Sequence, residues 1–406
     1  MPVGEIEFPE MHPVAGFSLG TTEAGIRLSG RRDLVVMECA EGSTVAATFT
    51  QNAFCAAPVT LCKEHLAEAA PRYLAVNTGN ANAGTGAQGR VDAETVCSAL
   101  ATLTSLQPNQ VLPFSTGVIG EPLPVTAITQ GLPDAVASLS VTGWEDAAHG
   151  IMTTDTVAKG ASRQLQIGGD QITITGIAKG SGMIHPDMAT MLAYVATDAA
   201  VEQELLQQMV SEVADRSFNR ITVDGDTSTN DSFVVVATGQ SAMPQLMELE
   251  SEASGQFVTA LESLVVELAQ KMVRDGEGAT KFVTVQVDGA KNSQEALDVA
   301  FTVAHSPLIK TALFASDPNW GRILAAVGRA GVTALEIEAV TLWLDDICIV
   351  EHGGRAARYS EAQGQAVMNQ EDITIRIDLG RGAAAETVWT TDLSHDYVTI
   401  NAEYRT

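Results

Sequence analysis

No stretch of the 406 residues approaches the roughly 18 to 20 uninterrupted apolar residues of a membrane span, so no segment reads as a transmembrane helix. Basic residues are scarce: 23 Lys and Arg stand against 50 Asp and Glu, for a formal charge of −27. That charge is spread along the chain and not gathered into a tail, which argues against nucleic acid or an anionic membrane as a partner. Cysteine is sparse and odd in number, with five residues (Cys39, Cys55, Cys62, Cys97, Cys348) and no C-x-x-C pair. The odd count, the lack of a C-x-x-C pair and apolar surroundings such as "VMECAEG" read as reduced core thiols. The seven histidines form no H-x-x-x-H or H-E-x-x-H pair, and there is no G-x-S-x-G elbow, so zincin and α/β-hydrolase chemistry lose their main support. The N-terminal "MPVGEIEFPEMHP" has acids and prolines in place of a basic, apolar leader, from which a cytoplasmic location is expected.

What is present is 45% apolar residues, enough for a sizeable core, in a length that suggests roughly two or three units of about 150 residues. Strand-like runs "STVAATFT" (43–50), "RYLAVN" (72–77), "QITITGIAKG" and "DSFVVVATG" alternate with amphipathic helical stretches at 90–106 and 202–218. Two longer helical stretches follow, "TALESLVVELAQKMVRDGEG" and "SQEALDVAFTVAHSPLIKTALFA". The C-terminus returns to strand, with "DITIRIDLG", "AETVWTTDL" and an alternating "YVTINAEYRT". The order is not a strict β-α-β rhythm and no fixed repeat or Pro/Gly/Ser-rich linker is visible. The pattern predicts an α+β fold of layered β-sheets covered by helices.

Two motifs invite ligands. "GTGAQG" (84–89) matches G-x-G-x-x-G between a strand and a helix, the context of a dinucleotide fingerprint. The strand ends near Asn77, however, and no acid falls between Glu94 and Glu121 to hold a ribose, so a glycine- and asparagine-rich turn is the better reading of the motif. "TVDGDTSTND" (222–231) gathers Asp224, Asp226, Asn230 and Asp231, but its glycine comes too early for a calcium loop and no twelfth-position glutamate follows. Asx-type turns account for the same composition.

The third feature is "AKGSGMIHPDMATML", where a glycine loop passes directly into a buried-looking run at Thr190. A β-branched residue opening a buried strand is ordinary. Chemistry offers another role. A threonine hydroxyl needs a base to become a nucleophile. If the Ala189–Thr190 bond were cut, the free α-amine of Thr190, with an ordinary pKa of about 8, would supply that base. The same hydroxyl, attacking the Ala189 carbonyl at a strained turn, can make the cut. Acyl transfer also needs donors for the developing oxyanion. "PFSTGVIGEPLP" places Thr116 and Gly117 on an apparent turn after "QVLPF", where a hydroxyl and a backbone N–H can converge.

With these residues in view, the chain resembles the glutamate/ornithine N-acetyltransferases, the ArgJ family. The likeness runs nearly end to end through "NTGNANAGTGAQG", "STGVIGEPLP", "IMTTDT", "AKGSGMIHPDMATML", "TVDGDTSTNDSF", "RDGEGATKF", "DPNWGRILAA", "EHGGRAA" and "NAEYRT". It implies a DmpA/ArgJ-like layered fold and a precursor that cleaves itself into an α chain (1–189) and a β chain (190–406), held as an α2β2 heterotetramer. The implied cut lies between Ala189 and Thr190, with Thr190 as nucleophile and Thr116 and Gly117 as oxyanion hole. The implied substrate contacts are Thr153, Lys179, Thr190, Glu277, Asn401 and Thr406, with Thr154 adjacent to Thr153 as an alternative. Lys179 suits a substrate carboxylate and Glu277 an ammonium. Asp187 stands where much of the family has asparagine.

The resemblance implies ping-pong transfer of acetyl from N2-acetyl-L-ornithine through Thr190 to L-glutamate, with no cofactor or metal. Acetyl-CoA is the expected second donor of a bifunctional member. Two other readings compete. The same nucleophile passing its acyl group to water would make an amidase or aminopeptidase, and a non-catalytic nucleotide- or small-ligand-binding protein would be built around "GTGAQG".

Overall fold

The computed structural model describes residues 1–27, 29–185 and 191–403. They form three sheets. The first has the order Phe17–Thr22, Leu34–Cys39, Tyr73–Asn80, Val111–Val118, antiparallel except for its last, parallel pair. The second has the order Thr44–Phe49, Ser232–Ala237, Leu192–Thr197, Asp170–Lys179, Lys159–Ile167.

Side-chain alternation explains how these two sheets stack, because successive strand residues point to opposite faces. Val35, Met37, Leu74, Val76 and Phe114 of the first sheet share one core with Val45, Ile177, Tyr194, Val234 and Val236 of the second. The opposite face of the first sheet, with Leu34, Val36, Ala75 and Val111, packs on helices Gly86–Thr104 and Val125–Ala137. The opposite face of the second, with Ile172, Ile174, Ala193 and Val195, packs on helices Gln203–Arg216 and Glu252–Arg274. The result is a helix–sheet–sheet–helix sandwich, the layered α+β architecture expected from the sequence. Leu192–Thr197 is a central strand buried on both faces, which is why "MLAYVAT" reads as a continuous apolar run.

The third sheet, with its own core, is built from Phe282–Ala290, Thr341–Leu344, Ile347–Glu351, Gly354–Arg355, Asp372–Asp378 and Ala384–Thr391. Helices Ser293–Ala304 and Pro307–Phe314 cover it. These two replace the single helix expected there, because Pro307 starts a new helix at its first turn.

Three further local expectations are corrected. "YVTINAEYRT" is not strand: helix His395–Ala402 occupies its described part, started by the Ser394 side chain accepting from the Tyr397 backbone N–H. Thr116 and Gly117 are not on a turn, because the parallel partner Tyr73–Asn80 carries the strand through them to Val118. Gly86 to Gly89 of "GTGAQG" already belong to the helix, and the preceding strand continues to Asn80. Cys39, Cys62 and Cys97 are buried free thiols, while Cys55 and Cys348 are half-buried. No described helix is long and apolar enough to cross a membrane.

Candidate active site

A cleft of about 260 Å³ lies where the ends of several strands converge. Strand Val111–Val118 delivers Thr116 and Gly117 to its wall. Gly117 has a φ of +134°, and a Cβ there would lie 2.3 Å from the Gly79 carbonyl carbon, so only glycine fits this approach of two strands. Asn230 anchors the same edge, donating from Nδ2 to the backbone oxygens of Ala81 (2.6 Å) and Ser115 (2.9 Å).

Lys179 enters from the end of strand Asp170–Lys179, paired with Leu192 across the hairpin. The hairpin connection is gripped on both described sides. Asp224 accepts from the N–H groups of Met183 (2.6 Å) and Ile184 (2.9 Å), and the Met191 carbonyl accepts from Ser232 N at 2.8 Å. The acidic "TVDGDTSTND" segment therefore acts as a backbone clamp, and no group of three His, Cys, Asp or Glu side chains among the described residues is arranged for a metal ion. Its Asx character is also present, since Asp226 N donates to Asp224 Oδ1 at 3.1 Å.

Glu277 follows helix Glu252–Arg274 and is buried in the cleft wall. It lies so close over Gly182 that a Cβ on that glycine would come within 2.4 Å of the Glu277 carboxylate. Helix His395–Ala402 adds Asn401, whose Nδ2 donates to Glu277 Oε2 at 2.8 Å. The helix is fastened by Tyr397 Oη donating to Asp224 (3.1 Å) and Ser394 Oγ donating to the Gly278 carbonyl (2.6 Å).

Thr153 and Thr154 both line the cleft. The Thr154 hydroxyl is 2.7 Å from that of Ser181, and Arg31 Nη1 donates to the Thr153 carbonyl at 3.3 Å. Behind them sits a buried charge network that sequence reasoning missed. Lys159 Nζ donates to Asp155 and to Asp275, each at 2.6 Å, and all three side chains are almost wholly excluded from solvent. Asp155 also accepts from Thr153 N (3.0 Å) and Gly180 N (2.7 Å), so one carboxylate sets both cleft loops. Burial would raise the Asp155 carboxyl, but Lys159, Lys179 and these hydrogen bonds outweigh it and bring it down to about 2. Burial pushes the Lys179 ammonium below its ordinary value, against the pull of Asp155, Asp231 and Glu277.

Of the residues singled out from sequence, Thr116, Gly117, Thr153, Lys179, Glu277 and Asn401 meet in this one cleft, and Thr154 joins them. Ala189, Thr190 and Thr406 lie outside the described residues. Ser181, Asn230 and Asp231, also in the cleft, were not assigned a site role from sequence. The D-x-x-x-K spacing of Asp155 and Lys159 was the one signal available for the buried network. A cation, Lys179, two carboxylates, Asp231 and Glu277, and several hydroxyl and amide groups around one cleft suit a small zwitterionic substrate.

The ArgJ family model matches residues 18–406. The arginine biosynthesis bifunctional protein ArgJ of Pseudomonas fluorescens (strain Pf0-1) is 61% identical over 406 residues, covering all of both chains. The protein of the same name from Pseudomonas syringae pv. tomato (strain ATCC BAA-871 / DC3000) is 59% identical over 410 aligned residues, again covering all of both. A crystal structure of the arginine biosynthesis bifunctional protein ArgJ from Bacillus halodurans is 38% identical, covering 52% of this chain and 97% of that one, with a TM-score of 0.49.

Proposed function

The chain belongs to the ArgJ family, and from that premise we propose that it works through a self-generated N-terminal threonine, Thr190, in the cleft described above. It is a bifunctional acetyltransferase of arginine biosynthesis, acting as an ornithine acetyltransferase and as a glutamate acetyltransferase. The acetyl carbonyl of N2-acetyl-L-ornithine is attacked by the Thr190 hydroxyl, whose proton passes to the residue's own α-amine. Thr116 and Gly117 stabilise the tetrahedral oxyanion. Collapse forms the acetyl ester and breaks the C–N bond, and the proton goes to the departing ornithine amine. The glutamate amine then attacks the ester, giving N-acetyl-L-glutamate and restoring the hydroxyl. In the second activity the same hydroxyl attacks the thioester carbonyl of acetyl-CoA: the acetyl ester forms, the C–S bond breaks, and coenzyme A leaves as the free thiol carrying the proton that the α-amine had taken.

The observation that carries this reading is the convergence of Thr116, Gly117, Thr153, Lys179, Glu277 and Asn401 on one cleft. Thr190 is the covalent neighbour of Met191, whose carbonyl bonds to Ser232 beside the cleft residues Asn230 and Asp231. Lys179 is suited to the substrate carboxylate and Glu277 to the ornithine ammonium.

The same reading divides the chain into α (1–189) and β (190–406), with an α2β2 assembly. Strands Asp170–Lys179 and Leu192–Thr197 are hydrogen-bonded neighbours on opposite sides of the cut. The two pieces would thus stay locked in one sheet after cleavage, as a working enzyme requires.

A denaturing gel with N-terminal sequencing tests cleavage, with two fragments expected, one beginning at Thr190. Ornithine release from acetylornithine should rise when glutamate is added. Release unaffected by glutamate would assign the acyl group to water, and a single uncut but active band would remove Thr190 from the mechanism.

A further inference from the structure

Thr116 and Gly117 are gripped on both sides from outside their own strand. Asn230 Nδ2 donates to the Ser115 carbonyl at 2.9 Å and to the Ala81 carbonyl at 2.6 Å. Ala81 N in turn donates to the Val118 carbonyl at 2.9 Å. One carboxamide therefore fixes the residue before the pair directly and the residue after it through Ala81. The grip falls where the ladder between Tyr73–Asn80 and Val111–Val118 shifts register, between Gly79 and Asn80, so regular pairing alone does not set the backbone there. Ser115 is held a second time, its Oγ donating to Asn77 Oδ1 at 2.6 Å.

The carboxamide is itself fixed. Both backbone oxygens can only accept, so the amide NH2 must face them, and Oδ1 accepts from the Thr229 hydroxyl. The flanking backbone is tied down as well: Thr50 N donates to the Asp231 carbonyl at 3.0 Å and Ala56 N to that of Thr229 at 2.9 Å. Asn230, Ala81, Ser115 and Thr116 are all buried, so removal of this donor leaves carbonyls short of a partner where water does not readily replace it. Such rigidity is what an oxyanion hole requires, since its donors must be aimed before charge develops. We propose that Asn230 is the positioning residue of the oxyanion hole, acting through Ser115 and Ala81 to hold the Thr116 hydroxyl and the Gly117 N–H in place. This assignment rests on the oxyanion role given to Thr116 and Gly117 above. On the proposed division Asn230 belongs to the β chain and Ser115 to the α chain, so the hole in one chain is set by the other.

The test uses the full-length protein, with acetyl transfer from N2-acetyl-L-ornithine to glutamate measured per cleaved chain and ornithine affinity measured by calorimetry. Asn230→Ala is expected to lower kcat about tenfold or more and to leave the ornithine dissociation constant within about twofold, because misplaced donors weaken the transition state and not the ground state. Thr116→Ala should lower kcat about 100-fold. The double variant should lose clearly less than the product of the two single losses, because both changes act on one hole. Fully multiplicative losses, ornithine affinity that weakens as much as kcat falls, or native kcat in Asn230→Ala would each overturn the assignment. Native kcat in Thr116→Ala would instead sink the oxyanion reading on which it rests. Thr229→Val keeps the amide but removes the hydroxyl that orients it, and it decides the matter if Asn230→Ala does not fold or is not cut. It should lower kcat roughly three- to tenfold at unchanged ornithine affinity, and native kcat there overturns the assignment.

Discussion

Asn401 donates to the Glu277 carboxylate at 2.8 Å, joining the helix His395–Ala402 to a cleft residue 124 positions earlier in the chain. That helix buries none of its own side chains. Its place is set by polar anchors and not by packing, which makes the anchors accessible to test.

Replacing Asn401 with alanine removes a hydrogen bond to a charged group, worth about 1.5–3 kcal/mol, or roughly a 10- to 100-fold change in an equilibrium constant. Glu277 remains but is free to reorient. The loss is expected mainly in KM for acetylornithine, with the thermal midpoint nearly unchanged because the helix contributes little core. Steady-state kinetics with a parallel melt check this. A large fall in melting temperature would show that the helix is structural.

Asp155→Asn should act on stability and on pH dependence together. It leaves the buried Lys159 with one carboxylate instead of two, a change in the class that costs about 3–5 kcal/mol. It also removes a charge that supports the Lys179 ammonium. The high-pH limb of kcat/KM should therefore move to lower pH in the variant. In the wild type, the Asp155 carboxyl sits near 2, below its ordinary 3.8. Its stabilisation is then full above about pH 4 and is lost as pH falls through 2. Denaturant melts from pH 5 to 2 should show that slope in the wild type and a flatter one in the variant.

Lys310 gives a slope of the same sign at the alkaline end, from a charge whose burial costs stability. It is buried under strand Ala384–Thr391, donating to Thr390 Oγ1 at 2.9 Å and to the Thr391 carbonyl. Burial lowers its pKa to about 8 despite Asp392 and Asp224. The folded value lies below the unfolded one, so the cost of burying the ammonium is fully present below pH 8 and fades as pH rises to 10.5. The contribution is on the order of 3 kcal/mol. Lys310→Met should flatten stability against pH between 8 and 10, measured by urea denaturation. An unchanged slope would place the lowered pKa elsewhere.

The layered fold was legible because the strands that form the two stacked sheets carry their own periodicity. "STVAATFT" and "QITITGIAKG" could be placed without knowing their partners. Thr116 and Gly117 could not, because their strand is completed by a parallel neighbour more than 30 residues away, and a Ser-Thr-Gly run in isolation looks like a turn. "YVTINA" misled for a related reason: its alternation suggests strand, but no core face enforces that pattern, and a Ser394 cap with local hydrogen bonds makes a helix. The site residues were nameable through family resemblance, whereas Asp155, Lys159 and Asp275 were hidden because a buried ion network has no sequence period. Asp224 illustrates both limits, since its local turn was foreseen and its grip on Met183 and Ile184 was not.

Two cleft glycines should fail in different ways when given a methyl group. At Gly117 the new Cβ would lie 2.3 Å from the Gly79 carbonyl carbon and 2.5 Å from Asn80 N, in a residue with φ of +134°. Neither backbone atom can yield without separating two strands, so Gly117→Ala should destabilise the fold and melt early. At Gly182 the obstacle is the Glu277 carboxylate, the far end of a flexible side chain. Gly182→Ala should therefore fold with a near-native melt but push that carboxylate from the Asn401 bond, raising KM for the ammonium-bearing donor. A thermal melt and acetylornithine kinetics on both variants separate these outcomes. If Gly182→Ala retains native KM, Glu277 can move without consequence and is not the group that reads the substrate ammonium.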